Sequence, residues 1–324
     1  MGMERTKNFL GEKIMKSRWK EIISSPREFA LWVLSRKICR LIPDKTYIKL
    51  KYRAILGRWP NLDHPTYLSE KIQWLKLHDR NEPYERLVDK YAVRGYVEEK
   101  IGSDFLVPLI GVWDSPDDID WDALPNKFVM KTVNGSHTNI LCIDKSKLNI
   151  EDAINKLRKW QKSNQTFYYG REWPYKNVKP RIIAEKFIES STPGGLIDYK
   201  FMCFSGKVDN VMLCFDRMSG HTKFNHFDKD WNFLRYQYVD ADKPANYTLP
   251  KPKRIDEMFQ IAETLSAPFP FVRVDLYCEN DKIFFGELTF YPQSGFDTDY
   301  TPETDLHLGA QLKIPSAEEK KNIF

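Results

Sequence analysis

The feature that most constrains the fold of this chain is a pair of short apolar segments that carry polar residues at alternate positions. They lie at residues 271–277 and 283–290. The alternation predicts two β-strands, each with one apolar and one polar face. The polar faces carry Arg273 and Asp275 on the first strand, and Glu287 and Thr289 on the second. If the connecting loop has three or five residues, the two polar faces lie on the same side of a β-hairpin.

The chemistry of this polar side has two interpretations. Carboxylates held about one side chain apart repel each other unless a cation lies between them, and Mg²⁺ suits such oxygen donors. A ladder of surface ion pairs between Arg273 and the two acids explains the same pattern. On the second strand, Phe284 is expected on the apolar face, away from Glu287. The residues alone leave both interpretations open.

The rest of the chain mixes helical patterns with short β-rich segments. The β-rich segments lie at residues 127–133, 140–143, 181–188, 199–204 and 208–215, and the helical patterns at 66–100, 150–163 and 254–266. Turn-forming dipeptides separate the β-rich segments. Helices interspersed with antiparallel hairpins predict an α+β fold rather than a doubly wound parallel sheet. Residues 193–195, Pro-Gly-Gly, are the expected joint between two lobes.

Two further motifs suggest a nucleotide site, although the chain has neither a P-loop nor a G-x-G-x-x-G signature. Lys131 ends an apolar strand and is followed by a loop with Gly135 and Ser136, which suits a polyphosphate. An ordinary hairpin turn after a strand, with a snorkelling lysine, also explains this motif. The run Glu185-Lys186-Phe187-Ile188 can form a slot for a flat base, with backbone groups at its edge and apolar side chains on its face.

The N-terminal region is strongly basic. Residues 1–58 hold 15 Lys and Arg against 5 Asp and Glu, whereas the rest of the chain holds 35 against 40. We expect an amphipathic helix over residues 27–42, which packs on the body or lies on anionic lipid. Charges interrupt every apolar stretch, so neither a secretory signal nor a membrane span is expected. Five scattered cysteines without a C-x-x-C pair favour a reducing cytoplasm.

Taken in order, these motifs resemble the ATP-grasp superfamily, in which two α+β lobes with antiparallel sheets hold ATP between them. The resemblance implies roles for individual residues. Those implied to bind the nucleotide are Lys90, Lys131, Gly135, Ser136, Glu185, Lys186, Phe187, Ile188 and Asp198. The implied catalytic residues are Arg273 and Lys200, and the implied Mg²⁺ ligands are Asp275, Glu287 and Thr289. The sequence departs from the superfamily at Thr289, where asparagine is usual.

More narrowly, the chain resembles the TupA-like ATP-grasp proteins found with bacterial surface-polysaccharide genes. The resembling segments are residues 68–77, 87–94, 108–114, 198–204, 269–275 and 285–292. The resemblance implies an ATP- and Mg²⁺-dependent carboxylate–amine ligase that works through an acyl phosphate during capsular, teichuronic or O-antigen synthesis. Its substrates would be a carboxylate-bearing sugar or amino acid and an amine acceptor, such as a lipid-linked glycan. No nucleic-acid partner is expected.

We therefore predict a cytoplasmic enzyme, peripheral at the inner face of the cell membrane, with four regions. These are a basic helical N-terminal region (1–80), a first ATP-grasp lobe (81–190), a second lobe with the metal and catalytic hairpin (191–315), and a polar tail (316–324). Two alternatives remain: a glycosyltransferase that uses a D-x-D motif at residues 118–120, 240–242 or 297–299, and a glycan kinase on the same fold.

Overall fold

The computed structural model describes residues 25–136 and 138–315. The chain divides into two compact units, Met1–Pro65 and Thr66–Phe324. The described part of the first unit contains helices α1 (Pro26–Leu34) and α2 (Asp44–Leu56), joined by a 3₁₀ turn at Lys37–Leu41. The predicted tail at 316–324 and the first 24 residues of the basic region lie outside the described residues. The boundaries at residues 80, 190 and 315 stay predictions.

The helix expected over residues 27–42 is shorter than predicted. Ser25 accepts a hydrogen bond from the backbone N–H of Glu28, and Pro26 occupies the first turn, so the helix begins as expected. It ends at Leu34 because Arg36 adopts an extended backbone conformation, with φ −74° and ψ 145°. Residues 37–41 therefore form a separate 3₁₀ turn, and the apolar side chains of the segment no longer share one face.

The second unit begins with three helices and contains two antiparallel sheets. Its helices are α3 (Leu68–His78), α4 (Pro83–Val88), α5 (Val93–Ile101), α6 (Ile150–Gln161), α7 (Gln165–Gly170), α8 (Ile255–Ser266) and α9 (Pro302–Gln311). Shorter 3₁₀ turns lie at Ser103–Phe105, Pro116–Asp118, Lys145–Lys147, Trp173–Tyr175, Arg217–Ser219, Tyr238–Asp240 and Pro292–Gly295. The predicted α+β class is confirmed.

The smaller sheet has the strand order β1-β4-β2-β3, and the larger has the order β10-β9-β5-β6-β7-β8. The strands are β1 (Leu109–Trp113), β2 (Phe128–Thr132), β3 (Asn139–Cys142), β4 (Ile182–Lys186), β5 (Asp198–Phe204), β6 (Lys207–Phe215), β7 (Lys223–Phe227), β8 (Phe233–Leu234), β9 (Phe271–Glu279) and β10 (Lys282–Thr289). The segment that contains Pro193-Gly194-Gly195 connects the two sheets, because it joins β4 to β5.

Each sheet buries one apolar face against a helix. In the smaller sheet, Met130 of β2 and Ala184 of β4 are fully buried with Leu157 of α6. In the larger sheet, Phe201 of β5 packs its ring against Phe259 of α8, with centroids 5.1 Å apart. Burying these side chains stabilises the fold by roughly 1.5–3 kcal/mol for each large residue. The charged residues are consequently collected on the opposite faces.

In the described part of the chain, no helix is both long enough and apolar enough to cross a bilayer.

Candidate functional site

The β9–β10 hairpin has a different turn from the one that the sequence suggests. Two residues, Asn280 and Asp281, connect the strands, and both have left-handed backbone angles (φ 51° and 57°). This is the geometry of a tight hairpin turn, so the expectation of three or five loop residues is wrong. A two-residue turn alone would set Glu287 opposite Val274, on the wrong face.

A β-bulge restores the pairing. The ladder shifts between Phe285 and Glu287, so that Gly286 is an extra residue with no partner on β9. Beyond it, Glu287 lies opposite Asp275, and Thr289 lies opposite Arg273. The predicted convergence of these four residues is therefore present. Before the bulge, Phe284 pairs with Tyr277 and lies on the same face as Asp275, contrary to the expectation for Phe284.

Gly286 permits this bulge because no side chain fits there. A Cβ atom at Gly286 would lie 2.9 Å from the carbonyl oxygen of Asp275, which is backbone and cannot rotate away. The glycine thus keeps the two strands close together at the position where the polar residues meet.

We expect Gly286→Ala to lower the turnover of the ATP-dependent ligation that the resemblance implies by about tenfold to a hundredfold, because a displacement of about 1 Å at a reacting group has this effect. The control is Gly95→Ala in helix α5, where the added Cβ would meet the flexible end of the Arg86 side chain. Steady-state rates and far-UV circular dichroism of both variants check the prediction. Equal rates for Gly286→Ala and the wild type would contradict it.

Arg273 is the centre of the polar face. Its Nε donates to Oδ1 of Asp275 at 2.6 Å, and its Nη2 donates to Oδ2 of the same carboxylate at 2.8 Å. The same Nη2 lies 3.1 Å from Oγ1 of Thr289 and 3.4 Å from Oε1 of Glu287. The ammonium of Lys200, on the neighbouring strand β5, also contacts Asp275. Oxygen atoms from three side chains thus surround one positively charged nitrogen.

The charges of this cluster set its protonation. Burial by itself raises the pKa of Glu287, but the positive charges of Lys90, Lys200 and Arg273 lower it to about 2. Burial by itself lowers the pKa of Arg273, but the bidentate contact with Asp275 raises it above its ordinary value. Glu287 is therefore ionised and Arg273 protonated over the whole neutral range.

The donor atoms fit Mg²⁺ in kind. Asp275, Glu287 and Thr289 offer two carboxylates and a hydroxyl, all of them hard oxygen donors. Their oxygens already converge on the cationic nitrogen of Arg273, which shows that a positive centre is stable among them. Among residues 25–136 and 138–315, no three His, Cys, Asp or Glu side chains form a metal-binding group. An ion here would therefore depend on two carboxylates, with the remaining ligands from the hydroxyl, water or substrate.

The smaller sheet carries a second charged group. Nζ of Lys131 donates to Oε2 of Glu185 at 2.8 Å. The two side chains share a face of the sheet, because Val129 of β2 lies opposite Glu185 of β4 and Lys131 is two residues beyond Val129. Nη1 of Arg94, from helix α5, donates to Oε1 of Glu185 at 3.0 Å. The carboxylate of Glu185 thus orients two cations.

The predicted glycine loop follows β2. Nζ of Lys90 donates to the carbonyl oxygen of Gly135 at 2.5 Å, and Ser136 is exposed at the tip of the loop. A Cβ atom at Gly135 would lie only 2.9 Å from Oγ1 of Thr138, so a residue with a side chain would be crowded at this position. Burial lowers the pKa of Lys90, and the negative charge of Glu287 opposes that shift. Lys90 is therefore electrostatically coupled both to the loop after β2 and to the hairpin of the larger sheet.

The predicted base slot lies at the end of β4. The backbone N–H of Lys186 donates to the carbonyl oxygen of Pro108 at 2.9 Å, and its side chain is exposed. Phe187 and Ile188 are partly buried in the segment that follows β4. Within the described ranges, the side chain of Lys186 forms no hydrogen bond or ion pair with the other predicted site residues.

Asp198, the predicted ribose-binding acid, begins strand β5 on the same face as Lys200. Its Oδ2 accepts a hydrogen bond from Arg217 and lies 3.6 Å from Nζ of Lys200. The larger sheet thus brings together Asp198, Lys200, Arg273, Asp275, Glu287 and Thr289, whereas the smaller sheet brings together Lys131 and Glu185.

Two charged residues of these networks were not identified from the sequence. Arg94 contacts Glu185, which is 91 positions away. Arg217, in the 3₁₀ turn that follows β6, contacts Asp198, which is 19 positions away at the start of β5. No local pattern marks either residue. Arg94 lies within residues 87–94, one of the segments that resemble the TupA-like proteins, and this resemblance is the signal by which it could have been found.

A family model described as TupA-like ATPgrasp matches residues 70–313. No curated protein matches the chain.

Among solved structures, the chain is similar to D-alanine–D-alanine ligase from Bacillus anthracis complexed with ATP. The identity is 12%, the match covers 74% of this chain and 66% of that one, and the TM-score is 0.42. The chain is also similar to the L-amino acid ligase from Bacillus licheniformis. There the identity is 13%, the coverage 85% and 57%, and the TM-score 0.39.

Proposed function

The chain belongs to the TupA-like ATP-grasp family, and on that premise we propose that it is an ATP-dependent carboxylate–amine ligase of bacterial surface-polysaccharide biosynthesis. The observation that carries the proposal is the polar face of the β9–β10 hairpin, where Arg273 lies among the oxygens of Asp275, Glu287 and Thr289. A buried, permanently charged guanidinium with a fixed fork geometry suits the recognition of a carboxylate.

The reaction has two steps. In the first, a carboxylate oxygen of the substrate attacks the γ-phosphorus of ATP, and the bond to the bridging oxygen breaks so that ADP leaves with the electron pair. In the second, a neutral amine attacks the acyl carbon of the resulting acyl phosphate. The carbon–nitrogen bond forms, the carbon–oxygen bond to phosphate breaks, and the amine loses a proton to water. The products are an amide, ADP and inorganic phosphate.

The residues of the site divide these tasks. Lys131, Lys90 and Lys200 offer positive charge to the phosphates, and the backbone of the loop at Gly135 offers N–H groups. Arg273 binds the substrate carboxylate and stabilises the oxyanion that develops when the amine attacks. Asp275, Glu287 and Thr289 would hold Mg²⁺, which when bound neutralises phosphate charge. Glu185 accepts a hydrogen bond from Nζ of Lys131 and so orients it.

The proposed substrates are a uronic-acid or amino-acid carboxylate and an amine acceptor, such as an amine of a lipid-linked glycan. This choice rests on the genetic setting of the family that the sequence resembles. A lipid-linked acceptor would lie in the membrane, so the proposed enzyme would be cytoplasmic and would meet the membrane at its inner face.

The D-x-D motifs that favoured a glycosyltransferase have local structural roles instead. Asp120 accepts the backbone N–H groups of residues 122 and 123. Asp240 is buried, accepts the N–H of Gln237 and pairs with Lys243. Asp297 accepts the N–H of Asp299. These aspartates cap turns, which argues against a sugar-nucleotide metal site at any of the three positions.

Hydroxylamine trapping tests the proposal. The purified protein is incubated with Mg-ATP, hydroxylamine and a panel of uronic acids and amino acids. An acyl phosphate is expected to yield a hydroxamate with at least one member, together with ADP. With that substrate labelled by ¹⁸O in its carboxylate, label should appear in inorganic phosphate. A stable phosphate ester without hydroxamate would identify a kinase, and transfer from a UDP-sugar without ATP would identify a glycosyltransferase; either result would overturn the proposal.

A further inference from the structure

The 3₁₀ turn of the first unit exposes two large aliphatic side chains. Ile38 is 70% exposed and Leu41 is 81% exposed, whereas Leu34 before them and Cys39 between them are buried with Tyr47. A continuous helix would have placed Ile38 and Leu41 on one face with Leu34. Because the chain becomes extended at Arg36, these two side chains instead point into solvent.

Cations surround the two exposed side chains. Arg36 and Lys37 precede Ile38, Arg40 precedes Leu41, and all three basic residues are exposed. The guanidinium of Arg36 lies 3.8 Å from the centroid of the Trp32 ring. Residues 25–65 as a whole contain nine Lys and Arg against three Asp and Glu. The turn therefore exposes two aliphatic side chains that are surrounded by positively charged ones.

We propose that this surface, formed by Arg36, Lys37, Ile38, Arg40 and Leu41, docks the protein on an anionic lipid membrane. Aliphatic side chains gain free energy when they enter the acyl boundary, and each adjacent cation gains about 1 kcal/mol near an anionic leaflet. A second copy of the same surface would bring like charges together, which opposes self-association. Nucleic acid would leave Ile38 and Leu41 without an apolar partner. The inference is independent of the proposed ligase activity.

The test is sedimentation of the full chain with vesicles at physiological salt. One vesicle set contains phosphatidylserine in phosphatidylcholine, and the other contains phosphatidylcholine alone. The protein is expected to bind the anionic set. The double variant Ile38→Ser, Leu41→Ser should bind at least about tenfold more weakly, because it loses two aliphatic side chains from the acyl boundary. The double variant Arg36→Gln, Lys37→Gln should lose about tenfold or more, at about fivefold for each charge.

The matched control is the double variant Met218→Ser, Val239→Ser in the second unit, where the side chains are 73% and 70% exposed. It should bind vesicles as the wild type does. The proposal is overturned if the wild type binds both vesicle sets equally or neither, if Ile38→Ser, Leu41→Ser binds unchanged, or if the control loses as much. A concentration-dependent dimer that the Ile38→Ser, Leu41→Ser variant abolishes, measured by light scattering, would assign the surface to self-association instead.

Discussion

Replacing Arg273 by alanine should lower kcat/KM for ATP-dependent amide formation by at least about a hundredfold, the magnitude typical of removing a group that stabilises developing charge. Arg273 makes two short hydrogen bonds to Asp275, and its side chain is 12% exposed. The variant loses the proposed carboxylate-binding fork, and it leaves Asp275 with Lys200 as its main cationic partner. The rate is measured with the substrate identified by hydroxylamine trapping.

Two further variants separate the catalytic effect of Arg273 from a structural one. Arg254 makes a comparable fork to Glu257, with contacts of 2.7 and 2.5 Å, on helix α8 and its preceding turn. Arg254→Ala should therefore leave turnover near the wild-type rate. Arg273→Lys keeps the charge but loses the fork, and should lie between wild type and alanine. Thermal unfolding of each variant shows whether it is folded at the assay temperature. Normal turnover by folded Arg273→Ala would contradict the assigned role.

The parts of the site that the sequence predicts are those set by local periodicity. Alternation of polar and apolar residues is a property of a single strand, so the residues alone assign Arg273 with Asp275, and Glu287 with Thr289, to shared faces. Lys131 at the end of an apolar strand is a local pattern of the same kind. The hairpin, most of the strands and the helix at residues 150–163 followed from such patterns.

The parts that could not be predicted depend on backbone geometry or on distant contacts. The bulge at Gly286 compensates for the two-residue turn. The alternation of polar and apolar residues does not show where a strand contains an unpaired residue. It therefore placed Phe284 on the wrong face. Likewise, an apolar period of 3.6 does not reveal that Arg36 adopts an extended conformation, so the helix expected to 42 ends at Leu34.

The charged residues of the site form ion pairs with one another. Lys131 pairs with Glu185, Lys200 with Asp275, and Arg217 with Asp198. A buried charge without a partner is costly, so removing one member of such a pair would destabilise the protein. In the proposed nucleotide complex, Lys131 would exchange its carboxylate partner for phosphate. Glu287 differs from Asp275, because its side chain is 42% exposed whereas that of Asp275 is 4% exposed.

Because Glu287 is the more open carboxylate, Glu287→Gln should remove metal binding with little effect on the fold. The glutamine has the same size and can still accept a hydrogen bond from Thr289, but it has no charge. We expect turnover at limiting Mg²⁺ to fall by at least about a hundredfold, since ligand charge dominates the affinity of a hard cation. The free energy of unfolding should fall, because the lowered pKa means that the folded protein favours the charged carboxylate, but thermal unfolding should show a protein that is folded at the assay temperature. The pKa of about 2 keeps Glu287 charged throughout a neutral assay, so pH does not mask the effect.

The control for Glu287→Gln is Glu279→Gln at the far end of the same hairpin. Glu279 is buried and accepts hydrogen bonds from the N–H and hydroxyl of Ser191, at 2.9 and 2.6 Å, which a glutamine oxygen can also accept. Its turnover and Mg²⁺ dependence should match those of the wild type. Titration of Mg²⁺ into each variant, followed by calorimetry and by turnover, distinguishes a metal ligand from a residue that acts in another way. If Glu287→Gln binds Mg²⁺ in the presence of ATP as tightly as the wild type, Glu287 is not a metal ligand, and the ion-pair ladder with Arg273 becomes its role.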